Sequence, residues 1–459
     1  MRNRSEGNKK LIRLTLASLV LVQFGCDAEQ AEDDAAATHA PEPQAVATDL
    51  VWAVNVGGPE YIGIDGTDYV PEESVSGGEV GSIETVKGSQ DAFLYRSYRE
   101  GDIRVAHAID SGTYDITFHF AEPKNYAEGA RVFDAFAEGK RVIDDLDVML
   151  FRDGKIESAL TVTAPNVVVA DGELNIHFEA SVDQPTLSAL VVRSKKRPGK
   201  AWELIWSDEF DGKTLDAEKW SPNIWPPRKV NDEDQAYTSR EKNLCIENGN
   251  LVIEAHKEEY EDAQYTSGRV HTDGKGDFLY GRFEVRARLP QGKGTWPAIW
   301  MLPSNPYRYS TTCEEGEDWQ GSSTCDAWPN SGEIDIMEHV GYQMDHIHGT
   351  VHNEAYYWAK WEQRKGRILI DGVDEDFHVY ALEWTPERID AFVDDSLYFT
   401  YINEQNGWRT WPYDQPFHVI LNIAVGGMWG RSGGGIDDTI FPQQMLVDYV
   451  RVYEQRTAK

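Results

Sequence analysis

Three acidic side chains, Glu333, Asp335 and Glu338, interrupt the apolar run Ile334, Ile336, Met337 and Val340. Alternate residues of a strand share a face, so Glu333 and Asp335 point the same way, and Glu338, five positions after Glu333, falls on the opposite one. One extra residue, a β-bulge at Ile336 or Met337, turns Glu338 back beside the other two. Three acids on one wall are what glycosidic cleavage by a carboxylate pair requires. Packing them closely raises at least one pKa by mutual repulsion, which keeps an acid protonated near neutral pH. Spacing alone is weak evidence. The chain holds 78 Asp and Glu in 459 residues, so roughly two such triplets arise by chance. The apolar residues between the acids are what mark a buried strand and not a solvated acidic edge.

The segment Trp328-Pro329-Asn330-Ser331-Gly332-Glu333-Ile334-Asp335-Ile336-Met337-Glu338 resembles the active-site strand of glycoside hydrolase family 16, in its bulged, laminarinase-like form. Matching stretches occur in family order on both sides. They are Trp206-Ser207-Asp208-Glu209-Phe210, Tyr280-Gly281-Arg282-Phe283-Glu284, Gly294-Thr295-Trp296-Pro297-Ala298-Ile299-Trp300, His348-Gly349-Thr350-Val351-His352 and Phe441-Pro442-Gln443-Gln444-Met445-Leu446-Val447-Asp448-Tyr449-Val450. The likeness runs from about Trp202 to Tyr453.

This resemblance implies a β-jelly-roll catalytic sandwich acting as a retaining endo-β-1,3-glucanase on laminarin-like β-glucans. By family position Glu333 is the nucleophile, Glu338 the acid/base and Asp335 the assisting acid between them; residue chemistry alone does not order the two glutamates. His352 matches the family histidine beside the acid/base, and Asn231 and Arg269 match polar positions lining the cleft. Trp296, Trp300 and Trp328 are substrate-binding candidates. Trp296 and Trp328 read as sugar-stacking platforms, whereas Trp300, inside Ala298-Ile299-Trp300-Met301-Leu302, has the more core-like setting. No cofactor is expected for catalysis. The resemblance also implies a structural Ca2+ at Glu209, Gly249 and Asp448, held by backbone carbonyls and one Asp, where all-oxygen ligation suits calcium. Competing readings are a family relative cutting agar, carrageenan or mixed-linkage glucan, a transglycosylase, and a non-catalytic glucan-recognition protein. The presence of all three acids speaks against the last.

Two domains are expected, both all-β. Thr113 to Phe120 and Arg282 to Leu289 alternate polar and apolar residues, and long helical periodicity is missing from both halves,. That pattern gives two β-sandwiches, at 50–193 and 202–456, joined by a linker at 194–201. The first half resembles malectin-like carbohydrate-binding domains through Val54-Asn55-Val56-Gly57-Gly58, Leu94-Tyr95-Arg96-Ser97-Tyr98-Arg99, Phe118-His119-Phe120-Ala121-Glu122, Arg131-Val132-Phe133-Asp134 and Val182-Asp183-Gln184-Pro185. The resemblance assigns sugar contact to Tyr61, Tyr126 and Asp183, with a bare spacer as the alternative.

A net charge of −34 excludes a nucleic-acid partner, because phosphate binding needs a basic face. Residues 1–26 read as an export signal: Arg2, Arg4, Lys9, Lys10 and Arg13 precede an apolar run too short to span a bilayer,. The run ends at Gly25-Cys26, which resembles a lipoprotein processing site with Cys26 lipidated, so a membrane is met only through that anchor. The protein is then an outer-membrane or cell-surface lipoprotein, or secreted. Residues 27–49, rich in Ala and acids, form a solvated tether. In an exported chain Cys313 and Cys325 are disulfide partners closing a short loop.

Overall fold

The alternating segments fold into two sandwiches in a computed structural model that describes residues 49–152, 154, 155, 157–195 and 200–456. The export signal with Cys26, the tether up to residue 48 and the middle of the 194–201 linker lie outside the described residues.

The first sandwich is built from β1 (Leu50–Asn55), β2 (Arg104–Ala108), β3 (Gly112–Phe120), β4 (Val132–Ala137), β5 (Lys140–Leu146), β6 (Leu160–Val169), β7 (Glu173–Val182) and β8 (Ala189–Ser194). One sheet runs β6-β3-β8-β1 and the other β5-β4-β7-β2. Ile116, Phe118 and Phe120 of β3 meet Phe133 and Phe178 between the sheets. Period two turns Asp115, Thr117 and His119 to the other face of β3.

The second sandwich adds β9 (Asn250–Tyr260), β10 (Arg269–His271), β11 (Gly281–Arg288), β12 (Thr295–Pro303), β13 (Glu333–Glu338), β14 (His346–His352), β15 (Arg364–Leu369), β16 (His378–Trp384), β17 (Arg388–Val393), β18 (Ser396–Ile402), β19 (Phe417–Val425) and β20 (Gln443–Gln455). The sheet that carries the acids runs β10-β19-β12-β13-β14-β15, and the sheet behind it β9-β20-β11-β16-β17-β18. Phe283, Val285 and Ala287 of β11 are buried and alternate with the charged Arg282, Glu284 and Arg286. They pack with Leu382 and Trp384 against Ile299, Met301, Ile334, Ile336 and Leu421 of the front sheet. Each such aliphatic side chain contributes about 1.5–3 kcal/mol of burial.

The two halves share an edge. β15 pairs in parallel with β6 through Thr163 and Ile368, so the front sheet continues into the first sandwich. The Gln90 side chain both donates to the Ile402 carbonyl and accepts from its amide, each at 2.9 Å, and so completes the free edge of β18. Phe151 packs its ring on His346 at 4.7 Å and under the Arg367 guanidinium at 3.9 Å.

Candidate active site

The bulge lies between Asp335 and Glu338. On one side β13 pairs Glu338 with Ala298 and Met337 with Ile299, then jumps to Asp335 with Trp300. On the other, Asp335 faces Thr350 and Glu338 faces His348, three steps against two. Ile336 and Met337 both stay in the core, so the extra residue costs no apolar contact and Glu338 returns to the face of Glu333 and Asp335. The loosened Ile336 carbonyl accepts a 2.6 Å hydrogen bond from the buried Tyr398 hydroxyl on β18. Gly349 allows this, since a Cβ there would lie 2.9 Å from the Tyr398 ring. Gly332, with φ +93°, starts the strand in the left-handed region, and a Cβ on it would meet Pro412 at 2.9 Å,.

Each glutamate takes an indole N–H. Trp328 Nε1 donates to Glu333 Oε2 at 3.0 Å and Trp296 Nε1 to Glu338 Oε1 at 3.1 Å. Asp335, 3% exposed, shares a hydrogen bond with Glu333. His352 Nε2 stands 3.6 Å from Glu333 Oε1 and 3.5 Å from Asp335 Oδ2. Burial, then repulsion from Glu338, pushes Glu333 up to about 8. Burial, then repulsion from Glu333, holds Asp335 far above the carboxylate range. Burial also raises Glu338, opposed by Lys365 and the Trp296 bond. His352 is pushed down to about 3 by burial and by Lys365, so its imidazole is neutral. The three acids titrate as one group. Asp335 keeps its proton and gives it to Glu333 as a hydrogen bond, which favours the charged form of Glu333.

Beside the acids, Trp296 and Trp300 share one face of β12, and both are half-buried. The core-like reading of Trp300 is therefore corrected. Ile299 and Met301 take the core positions, and period two turns Trp300 toward the cleft with its Nε1 donating to Asn422 at 2.8 Å. Arg269, 3% exposed, lies with its guanidinium 4.4 Å from the Trp225 ring centroid and 4.8 Å from that of Trp300. Asn231 donates to Glu233 at 3.3 Å, and buried Glu233 also accepts from Gln235 and Tyr237. Trp328 does flank the site, its ring 5.8 Å from His352 and 5.7 Å from Tyr357.

Sequence reasoning missed Tyr398, Lys365, Glu233 and Trp225. Tyr398 and Lys365 reach the acids from β18 and β15, and nothing local marks them. Glu233 carried a faint signal, an acid flanked by Gln235, Ala236 and Tyr237 in a short strand, all three of which are buried.

In the first sandwich Tyr126 donates to Asp183 at 2.6 Å, with Lys124 3.7 Å from the same carboxylate. The Tyr61 hydroxyl donates to Asp91 at 2.7 Å and its ring rests on Phe93. For calcium, the Glu209 carboxylate is held by Arg451 at 2.8 and 3.0 Å, and Asp448 by Arg286 at 2.6 Å. Cys313 and Cys325 form a disulfide in the 303–326 loop, and Ser310 and Thr311 of the same loop hydrogen-bond Asp326.

A jelly-roll wall that buries two glutamates, with a protonated aspartic acid between them and indole donors on each, defines a carboxylate-pair glycoside hydrolase. The model for "Glycosyl hydrolases family 16" matches residues 231–451, and that for "Malectin domain" matches residues 50–190. A "Beta-glucanase" of Rhodothermus marinus is 52% identical over 268 residues, 57% of this chain and 87% of the relative. A "Glucan endo-1,3-beta-glucosidase" of Cryptopygus antarcticus is 38% identical over 240 residues, 50% of this chain and 82% of the relative. Among solved structures, the laminarinase from Rhodothermus marinus superposes with a TM-score of 0.51 at 49% identity, covering 57% of this chain and all of that one. The chain belongs to glycoside hydrolase family 16 and carries a malectin domain ahead of its catalytic sandwich.

Proposed function

We propose that this chain is a retaining endo-β-1,3-glucanase, with Glu333 as nucleophile, Glu338 as acid/base and Asp335 as the residue whose hydrogen bond favours the charged form of Glu333. The observation that carries the reading is the bulged strand, which turns one buried and two half-buried carboxyls to one wall, with an indole donor on each glutamate. In the first step Glu333 attacks the anomeric carbon while Glu338 gives its proton to the departing glycosidic oxygen. In the second Glu338 takes a proton from water, and that water displaces Glu333. The electrostatics of the pair do not order the roles; family position does. The relatives named for β-1,3-glucan support the substrate.

Glu333→Gln and Glu338→Gln each remove the charge or proton a role requires while keeping shape, so turnover on laminarin falls by several orders of magnitude. Azide restores an inverted-anomer product in the nucleophile variant and a retained one in the acid/base variant. The swapped outcome reverses the roles, and near-normal turnover in either variant removes the assignment. Sizing products from laminarin, lichenan, agarose and carrageenan tests the substrate; preference for agarose or carrageenan overturns it.

The same proposal includes export through residues 1–26, lipidation at Cys26, and a surface location. Glycan binding by the malectin domain at Tyr61, Tyr126 and Asp183 also belongs to it. Palmitate labelling of wild type and Cys26→Ser checks the anchor.

A further inference from the structure

We propose that His271, Asp273 and His418 form a binding site for a zinc-type divalent cation at the end of the cleft beyond Arg269. One ring nitrogen of each histidine and one carboxylate oxygen of Asp273 lie within 4.8 Å of one another. His418 Nδ1 is 3.7 Å from Asp273 Oδ1, and the two imidazole centroids are 5.8 Å apart.

The backbone imposes this convergence. β10 pairs with β19 so that His271 faces Ile420, which brings His418 to the neighbouring position. The chain then turns at buried Thr272, whose amide donates to the Val419 carbonyl while its hydroxyl donates to the Gly276 carbonyl and accepts from the Val419 amide. That turn holds Asp273 over the two rings.

A second observation points to an occupant. His418 is 6% exposed, and its Nδ1 has no hydrogen-bond partner. It lines a cavity of about 170 Å³ with Arg269, Asn223 and Ser304. Asn223 Oδ1 and Ser304 Oγ are likewise shielded and unpartnered. Buried polar atoms are nearly always satisfied, so three unsatisfied ones on one cavity indicate a missing polar guest. His271 Nδ1 accepts only a long, 3.3 Å bond from the Asp273 amide.

Two imidazoles and a carboxylate are the donor set of zinc and its neighbours in the first transition row, not of calcium or magnesium. Zinc bonds of about 2.0–2.2 Å need these donor atoms to close by roughly 1 Å. Asp273 is exposed and able to make that movement. The remaining position is left to water or to Asn223 Oδ1. A bound ion ties the Thr272 turn to β19 beside Arg269, where Trp319 and Gln320 of the 303–326 loop close the cavity.

The catalytic trio Glu333, Asp335 and His352 also brings three donor atoms within 4.8 Å, so the test separates the two clusters. Full-length protein is equilibrated with micromolar ZnCl2, passed into metal-free buffer, and its zinc measured by mass spectrometry alongside a thermal melt. Wild type and Glu333→Gln are expected to retain about one equivalent and to melt higher with zinc than without it. His418→Gln and Asp273→Asn are expected to retain only background metal and to melt the same with or without it. Asp273→Asn changes an exposed turn residue, so its metal-free melt matches wild type and loss of zinc cannot be blamed on unfolding. No zinc above background in wild type, with water filling the cavity, overturns the proposal. So does zinc that is kept by Asp273→Asn and lost in Glu333→Gln.

Discussion

Replacing Tyr398 by Phe removes one hydroxyl and keeps the ring, and the consequence falls on the bulge. The Ile336 carbonyl then loses its 2.6 Å donor while remaining buried. An acceptor left unsatisfied in this way costs about 1–3 kcal/mol. For a sandwich of this size each kcal/mol lowers the melting temperature by about 2–4 °C. The larger effect is on turnover. The bulge is what returns Glu338 to the face of Glu333, and a displacement near 1 Å at reacting groups costs on the order of 100-fold. The expected result is kcat on laminarin reduced roughly 10- to 100-fold with KM changed far less, because the tryptophans that line the site are untouched. Gly349→Ala provides an independent route to the same defect, since its Cβ would press on the Tyr398 ring from 2.9 Å. If Tyr398→Phe melts lower but keeps wild-type kcat, the strand ladder alone holds the bulge and the reasoning fails.

Trp300→Ala should weaken kinetics on long laminarin chains and leave the melting temperature near wild type, because the ring faces the cleft and its loss also unseats Arg269; a melt lowered by a core-like 3–5 kcal/mol would refute this. The raised Glu333 pKa makes stability pH-dependent with a defined sign. Between the ordinary 4.5 and about 8 the unfolded chain releases a proton the folded one retains, so stability falls as pH rises through that window. Glu333→Gln should flatten the fall by up to a few kcal/mol, and melts at pH 5 and pH 8 check it. Removing residues before 200 should lower the melting temperature, by baring the β15 edge and the Gln90 contacts. Turnover on short soluble oligosaccharides should stay within a few-fold of wild type, because the acids and their core lie wholly in the second sandwich,. An inactive or unfolded truncation would make the two halves one folding unit.

What could be read from the chain was what is local. The acids, the bulge between them and the alternation of β11 are each contained in about ten residues, where period two translates directly into facing. Trp300 was misread for a physical reason. β12 is largely buried on both faces, and such strands read as continuous apolar runs that hide their alternation. Tyr398 and Lys365 were invisible because their roles exist only after β18 and β15 have packed against β13. The same holds for the shared edge, where the Thr163–Ile368 pairing, the Gln90 side chain and the Phe151 ring are among the contacts that join the halves without any sequence mark.

The tryptophans show why the local reading and the structure converge at the centre of the site. Trp296 and Trp328 were assigned as faces for sugar to stack on, yet each also spends its only polar atom on a catalytic carboxylate. Burying three carboxylates on one wall is tolerable only if few of them are charged and each charge meets a donor. A protonated Asp335, a neutral His352 and two indole N–H groups meet that condition, and the Arg269 charge also lowers the Glu333 pKa. An aromatic residue with a polar handle is the side-chain type that can both line an apolar sugar platform and solvate an acid beneath it. That double demand is why Trp, and not Phe, stands at both positions.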